Sequence, residues 1–513
     1  MPAVEPPPPY GAAVMARFPD PPVRYDTPAF EPGRQAFTTT AELQGQMRAL
    51  LRELPPGSGV RGQLLVAGVS QRGVPIAALL LSRQPDLTSA ALRASGRPSV
   101  LLMAQQHGDE PAGAEALLVV ARQLANGSLT SLLERLDVIV LPRANPDGAA
   151  AGQRATAAGL DANRDHLLLR TPEAQAIATL MRDYQPVVVA DAHEYPPIAP
   201  YLDKFGAIGR ADVLLQYATA PGVHEFVTRA AEEWFRQPLL QSLRREGLSS
   251  DWYHMPSGSA QDRRMAMGGP RAELSRNAAG LRHAVSLLIE SRGAALGRMH
   301  LGRRVHSHVT ALESVLRSAA VRADDLVKLR RFVETETVAR ACAGEEVIEA
   351  APTPSEYTLV LIDPVTGADK PIGVSWESSL QLQPLKQRLR PCGYWLAAGE
   401  RDAAMRLRSL GLTVQRIDEK GVVRGETYRE TSRSAVPDNP GALLPQVETV
   451  PALLDVTPGS WYVPLDQPLA GLATAALEPD TPSSYVSQGV VTGGVTAVSR
   501  VLARPGFRMS TPR

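Results

Sequence analysis

Cysteine is nearly absent: two residues, Cys342 and Cys392, in a chain of 513. They stand far apart and in no CxxC pattern, so they build neither a disulfide framework nor a thiolate metal site. One bridge between them and two buried thiols both fit, which leaves the redox compartment open. An excess of one charge is also lacking. Lys and Arg total 54 against 53 Asp and Glu, a balance that points away from nucleic acid and anionic membranes as partners. No apolar run reaches the length that spans a bilayer. The start of the chain has no basic segment followed by an apolar core, so no signal peptide is visible. A leader removed on export would leave the same picture.

What is present is a folded, multi-domain composition. At 513 residues, 44% of them hydrophobic and 21% charged, the chain exceeds one ordinary core and carries no mark of general disorder. Residues 1–38 are proline-rich and expected to lie extended over the surface. From residue 39 a helical period begins in "TTAELQGQMRALLREL", with Thr40 as the expected N-cap. A strand pair follows, "GQLLVAGVS" and "VPIAALLLS", and then strands alternating with helices: "SVLLMAQ", "LDVIVLP", "PVVVADA" and "AVSLLIE". The alternation predicts an α/β domain over 39–298, its mixed, mostly parallel sheet flanked by helices. Residues 299–345 read as a helical connector. Residues 346–513 read as a smaller β-containing domain, free of histidine and so without an imidazole metal site. No internal repeat is visible.

In open α/β sheets ligands bind beyond the carboxyl ends of the strands, and four apolar strands here run into polar groups. "SVLLMAQ" ends at His107 and Glu110, "LDVIVLP" at "RANPDG", "PVVVADA" at His193, and "AVSLLI" at Glu290. Two close ligands and one remote one, two His and one Glu, suit tetrahedral zinc with a fourth position for water. Glu290 then stands as the general base for that water. Each piece also has a plainer reading. Asp109-Glu110 before Pro111 makes an ordinary acidic helix start. His193 fits as a satisfied strand-end histidine, Glu290 as a surface partner of Arg292, and "NRD" as a solvated loop.

Taken together, "HGDE" (107–110), "NPDG" (145–148), "GLDANRD" (159–165), "DAH" (191–193) and "NAAGLRHAVSLLIE" ending at Glu290 resemble the zinc metallocarboxypeptidases of the carboxypeptidase A type, in the same order. The likeness covers about residues 40–295. It implies one zinc ion held by His107, Glu110 and His193, with Glu290 as catalytic glutamate. It further implies Asn163 and Arg164 as the grip on a substrate's terminal carboxylate, Arg154 as the group that polarises the scissile carbonyl, and Asp161 as the acidic partner of the first zinc histidine. Arg276 is a candidate further anion contact, with a structural salt bridge as its alternative. Asp165-His166 stand where the family usually has a polar residue and an aromatic; His166 is expected in a surface turn, a substrate contact being its alternative. Tyr253 and Tyr195 compete for a substrate-capping role, a packing role being the alternative for both. Glu273 is a weaker rival of Glu290. The resemblance implies a secreted or periplasmic hydrolase that removes the C-terminal residue of peptides. Its rivals are a related zinc deacylase acting on N-acyl amino acids or cell-wall peptides, and a binding protein with a relic zinc site. Side-chain specificity and oligomeric state are not legible.

Overall fold

Every residue of Ser99–Ala104, Asp137–Leu141, Val188–Tyr195 and Val285–Arg292 is buried, the pattern of strands covered on both faces. The computed structural model describes residues 10–436 and 439–511, so residues 1–9 of the proline-rich segment lie outside it. In chain order its first strands are β1 (Arg61–Val69), β2 (Pro75–Ser82), β3 (Ser99–Ala104), β4 (Asp137–Leu141), β5 (Val188–Tyr195) and β6 (Val213–Tyr217). β7 (Ser250–Trp252), β8 (His254–Pro256), β9 (Arg264–Met267), β10 (Val285–Arg292), β11 (Glu345–Ile362) and β12 (Asp369–Leu389) follow.

The large sheet has eight strands in the order β1-β2-β4-β3-β5-β10-β6-β7. β4-β3-β5-β10 run parallel, as do β6 and β7, while β1-β2, β2-β4 and β10-β6 are antiparallel. This is the mixed, mostly parallel sheet that the alternation predicts. Alternate residues of β3 enter opposite cores. Val100, Leu102 and Ala104 join one cluster, which includes Leu117 and Leu124 of the helix Ala112–Asn126. Leu101 and Met103 join another, with Ile177 and Leu180 of the helix Pro172–Tyr184.

The first long helix, Thr40–Arg52, is capped by Thr39 and not by Thr40. Thr39 and Glu42 form a reciprocal capping box, with the Thr39 amide donating to Glu42 Oε2 at 2.8 Å. The Thr-x-x-Glu spacing selects the earlier threonine. Residues 10–38 are more than a surface strap, since Tyr10, Val14, Phe18 and Tyr25 are buried. Phe18 lies 4.0 Å beneath the guanidinium of Arg292. Within 299–345 the helix Leu301–Val321 places Leu301, Val305, Leu312 and Leu316 in the same cluster as the central strands.

Beyond it the chain is rich in β structure. β11 and β12 form a long hairpin whose second strand adds in parallel to β9, giving a four-stranded sheet β11-β12-β9-β8. The remaining strands make a seven-stranded antiparallel sheet. Cys342 and Cys392 are joined in a disulfide across 50 residues, which closes the alternative of two free thiols. At the centre of this region Glu478 is fully buried. It accepts Tyr394 Oη at 2.7 Å and Tyr428 Oη at 3.2 Å, and pairs with Arg388 at 2.6 Å and Arg500 at 3.1 Å. Removing a buried carboxylate strands its cationic partners. Glu478→Ala is therefore expected to destabilise the chain by about 3 kcal/mol or more, read as a lower urea midpoint, with Glu478→Gln milder because it keeps an acceptor oxygen for one of the two tyrosines.

Candidate metal and catalytic site

The chain leaves β3 through Gln105, whose φ of 53° is a left-handed value seldom taken by a residue with a side chain. Its amide group offsets that strain. Nε2 donates to the Gly108 carbonyl at 3.0 Å, and Oε1 accepts from Arg143 Nε at 2.7 Å. The turn is pressed against the "NPDG" segment, where a Cβ on Gly108 would fall 2.0 Å from the Gly148 carbonyl carbon. Asn145 locks the two together. Its Nδ2 donates to the carbonyls of Gln106 (3.1 Å) and Ala155 (3.3 Å), and its Oδ1 accepts the Gly148 amide at 2.9 Å. The loop carrying Arg154 is thereby tied to the loop carrying His107.

His107, Glu110 and His193 converge. Their candidate ligand atoms lie within 4.8 Å of one another, and all three side chains are buried. His107 Nδ1 stands 2.7 Å from Glu110 Oε1, His193 Nδ1 2.8 Å from Glu110 Oε2, and the two Nδ1 atoms 3.1 Å apart. The outer nitrogens face carboxylates, with His107 Nε2 3.0 Å from Asp161 Oδ1 and His193 Nε2 3.1 Å from Asp191 Oδ1. Each imidazole thus turns Nδ1 inward and is backed through Nε2, which fixes the tautomer and raises ligand basicity. Two imidazole nitrogens and one carboxylate aimed at a single point form a donor set that fits a divalent cation such as zinc.

β10 and β5 pair in parallel with Glu290 opposite His193, so Glu290 comes to the edge of the same cluster. Glu290 is buried, and that burial pushes its carboxyl up to about 7. Glu110 adds to the rise, while His193, His107 and Arg154 oppose it. Burial alone would also raise Glu110, but the two imidazoles hold it below the usual carboxylate range.

The other expected residues fall out unevenly. Arg154 reaches the site, with Nη2 2.9 Å from Asp161 Oδ2 and Nη1 3.5 Å from Glu110 Oε1. Its side chain is 49% exposed, at the mouth. Asp161 also accepts the Asn163 amide at 2.8 Å. Asn163 Oδ1 accepts the Ser275 amide at 3.0 Å, and its Nδ2 lies 3.4 Å from His193 Nε2. Arg164 is exposed on the wall of a cavity of about 620 Å³ that also includes Asp161 and Gly269. Arg276 is buried, and among the described residues it forms no ion pair with a carboxylate, so its salt-bridge alternative is not realised. Tyr253 lies within the electrostatic reach of Glu290, Arg164, Arg276 and Arg154. Tyr195 is a packing residue, its Oη donating to the Ala211 carbonyl. Glu273 is taken up by Ser483 and Arg271.

His166 corrects the expected surface turn. It is buried, with Nε2 2.6 Å from Gln106 Oε1, while Gln106 Nε2 donates to Asp191 Oδ2 at 2.7 Å. A chain His166–Gln106–Asp191–His193 therefore runs behind the second imidazole. Burial draws the His166 pKa down to about 4. Glu194 was likewise not foreseen. Its Oε1 accepts the Ala112 amide at 2.7 Å, and its Oε2 pairs with Arg304 at 2.5 Å. Asp191 lies within the "DAH" motif without a role assigned from the sequence, and nothing local signals partners 85 and 110 residues away.

Residues 60–262 match the family model described as "Zinc carboxypeptidase". The chain is 29% identical over 403 residues to "Carboxypeptidase 2" of Trichophyton rubrum, covering 76% of this chain and 74% of that protein. It is 27% identical over 262 residues to "Carboxypeptidase SOL1" of Arabidopsis thaliana, covering 47% and 50%. Among solved structures, a metallo-carboxypeptidase from Pseudomonas aeruginosa aligns over 56% of this chain and 70% of its own, at 23% identity and a TM-score of 0.41. With the motifs in order and their side chains gathered at one point, residues 60–262 match a zinc carboxypeptidase domain, and the chain is a hydrolase of the metallocarboxypeptidase class.

Proposed function

We propose that this enzyme removes the C-terminal residue of peptides, using one zinc ion held by His107, Glu110 and His193, with Glu290 as general base. The observation that carries this reading is the register of β5 and β10. It sets Glu290 opposite His193, buried and free of a carboxylate-to-arginine pair among the described residues. When bound, zinc supplies an acidified water and positive charge for a developing oxyanion. Glu290 takes the water's proton on its carboxylate and passes it to the leaving amine nitrogen. Arg154, at the mouth, adds positive charge beside the scissile carbonyl oxygen. Arg164 offers a planar fork to the terminal carboxylate, joined by Asn163 Nδ2. Asp161 and Asp191 keep the Nδ1 lone pairs of the two histidines turned inward. The bridge between Cys342 and Cys392 supports an oxidising location, outside the cytosol or in the periplasm.

Hydrolysis of N-acyl amino acids or cell-wall peptides remains the rival activity, because Arg164 would hold any free carboxylate. A panel of peptides against N-acyl amino acids separates the two, with the peptides expected to be cut faster.

Glu290→Gln should leave the zinc content unchanged and lower kcat by about 10²–10⁴-fold. Unaltered turnover in that variant, with full metal occupancy, refutes the assigned base. Zinc should also raise the thermal unfolding temperature, by about 2.7 kcal/mol of added stability at a hundred times Kd. A chelator should reverse the gain, and His193→Ala should abolish it. The base must be ionised, and burial has pushed Glu290 up to about 7, while a nearby cation favours the charged form. The kcat/KM profile should therefore fall on the acid side at or below about pH 7, and Glu290→Gln should lose that limb.

A further inference from the structure

Arg276 opens the short helix Ser275–Gly280 and is 4% exposed. Its Nη2 donates to the Gly269 carbonyl at 2.8 Å, but its buried Nε has no hydrogen-bond partner among the described residues. Arg304 and Arg500 are buried against carboxylates, Glu194 for the first and Glu478 and Glu426 for the second, whereas Arg143 and Arg292, buried without one among the described residues, are held by neutral oxygens. Burying a guanidinium without a counter-charge is costly, and burial draws the Arg276 pKa down only to about 10, so the charge persists at neutral pH.

The surroundings are built to hold that cation in place. A Cβ on Gly268 would come 2.4 Å from Arg276 Nη2, so a side chain there would displace the guanidinium from its present position. Gly268 is pinned on three sides. Its amide donates to Gln216 Oε1 (2.8 Å), and its carbonyl accepts Gln216 Nε2 (2.8 Å) and Ser379 Oγ (2.7 Å). Gln216 lies opposite Leu288, and Leu288 is two residues before Glu290, so the pinned turn sits on the face of the sheet that Glu290 serves. The fields of Tyr253, Arg164 and Glu290 all reach Arg276. Gly269, whose carbonyl Arg276 holds, lines the cavity that Arg164 also lines.

Arg164 on the cavity wall and Arg276 held through Gly269 behind it make two guanidiniums, more than a single terminal carboxylate requires. We propose that Arg276 is a specificity residue that receives an acidic side chain, so that the preferred substrates end in Glu or Asp. The α-carboxylate is held by Arg164 and the side-chain carboxylate by Arg276. This rests on the carboxypeptidase reading above and names its substrate class.

The test is a set of peptides identical except for a last residue of Glu, Asp, Gln, Leu, Phe or Lys, given to the zinc-loaded full chain. Glu is expected to exceed its isostere Gln by about 10–100-fold in kcat/KM, the range for a charge-assisted contact. Arg276→Met should erase that difference while changing the Gln and Leu peptides less than about threefold, with zinc content and melting temperature unaltered. Equal or faster cleavage of Leu, Phe or Lys ends by the wild type overturns the proposal. So does a uniform loss on all peptides in Arg276→Met, which would make Arg276 a second grip on the α-carboxylate. Should that variant fail to fold, calorimetric binding of free L-glutamate against L-glutamine to the wild type decides, with tighter glutamate expected and equal affinities refuting. If no peptide is cut but N-acyl amino acids are, the carboxypeptidase reading falls, and N-acyl-Glu against N-acyl-Gln still tests Arg276.

Discussion

The site depends on the ion pair between Glu194 and Arg304. Glu194 follows His193 directly, and its two oxygens hold two other elements, the Ala112 amide at the start of a helix and the guanidinium from Leu301–Val321. Glu110 stands two residues before that helix start, so one carboxylate indexes His193 against Glu110. Space for the clamp is bought with a glycine, since a Cβ at Gly293 would lie 1.6 Å from Glu194 Oε2. A second close approach completes it. A Cβ on Gly113 would meet Ala104 Cβ at 2.9 Å and Ala192 Cβ at 3.0 Å, so the helix rests directly on the ends of β3 and β5. Small residues at the strand ends bring the three donor side chains to one point.

Electrostatics then divides the carboxylates by task. Glu110, Asp161 and Asp191 are all held below the usual carboxylate range, because each faces an imidazole at hydrogen-bonding distance that outweighs burial. Glu290, without such a contact, is pushed the other way by the same burial. Environments that push like groups apart separate those that hold from those that move protons.

Much of this was legible in the sequence wherever the signal was local. A strand ending in His-x-x-Glu places two donors by spacing alone, and the apolar runs identified the central strands that bring His193 and Glu290 into register. What escaped had its cause elsewhere in the chain. His166 looks like part of a surface turn until Gln106, sixty residues earlier, covers it. The helix Leu301–Val321 looks like a connector because β3, β5 and the helix Ala112–Asn126, which share its cluster, precede it by more than a hundred residues. The cap at Thr39 is set by a local signal, Glu42 three residues on, which outweighs the threonine nearest the apolar period. For two cysteines fifty residues apart, only the fold can say whether they meet.

The parallel addition of β12 to β9 joins the β-rich region to the α/β domain through backbone hydrogen bonds. Ser379, near that junction, reaches the Gly268 carbonyl. A segment that a domain boundary would assign to an accessory lobe thus helps to fix a turn of the α/β domain. Changes in the hairpin can therefore shift the turn at Gly268, and the Arg276 side chain packed against it, while His107, Glu110 and His193 stay in place.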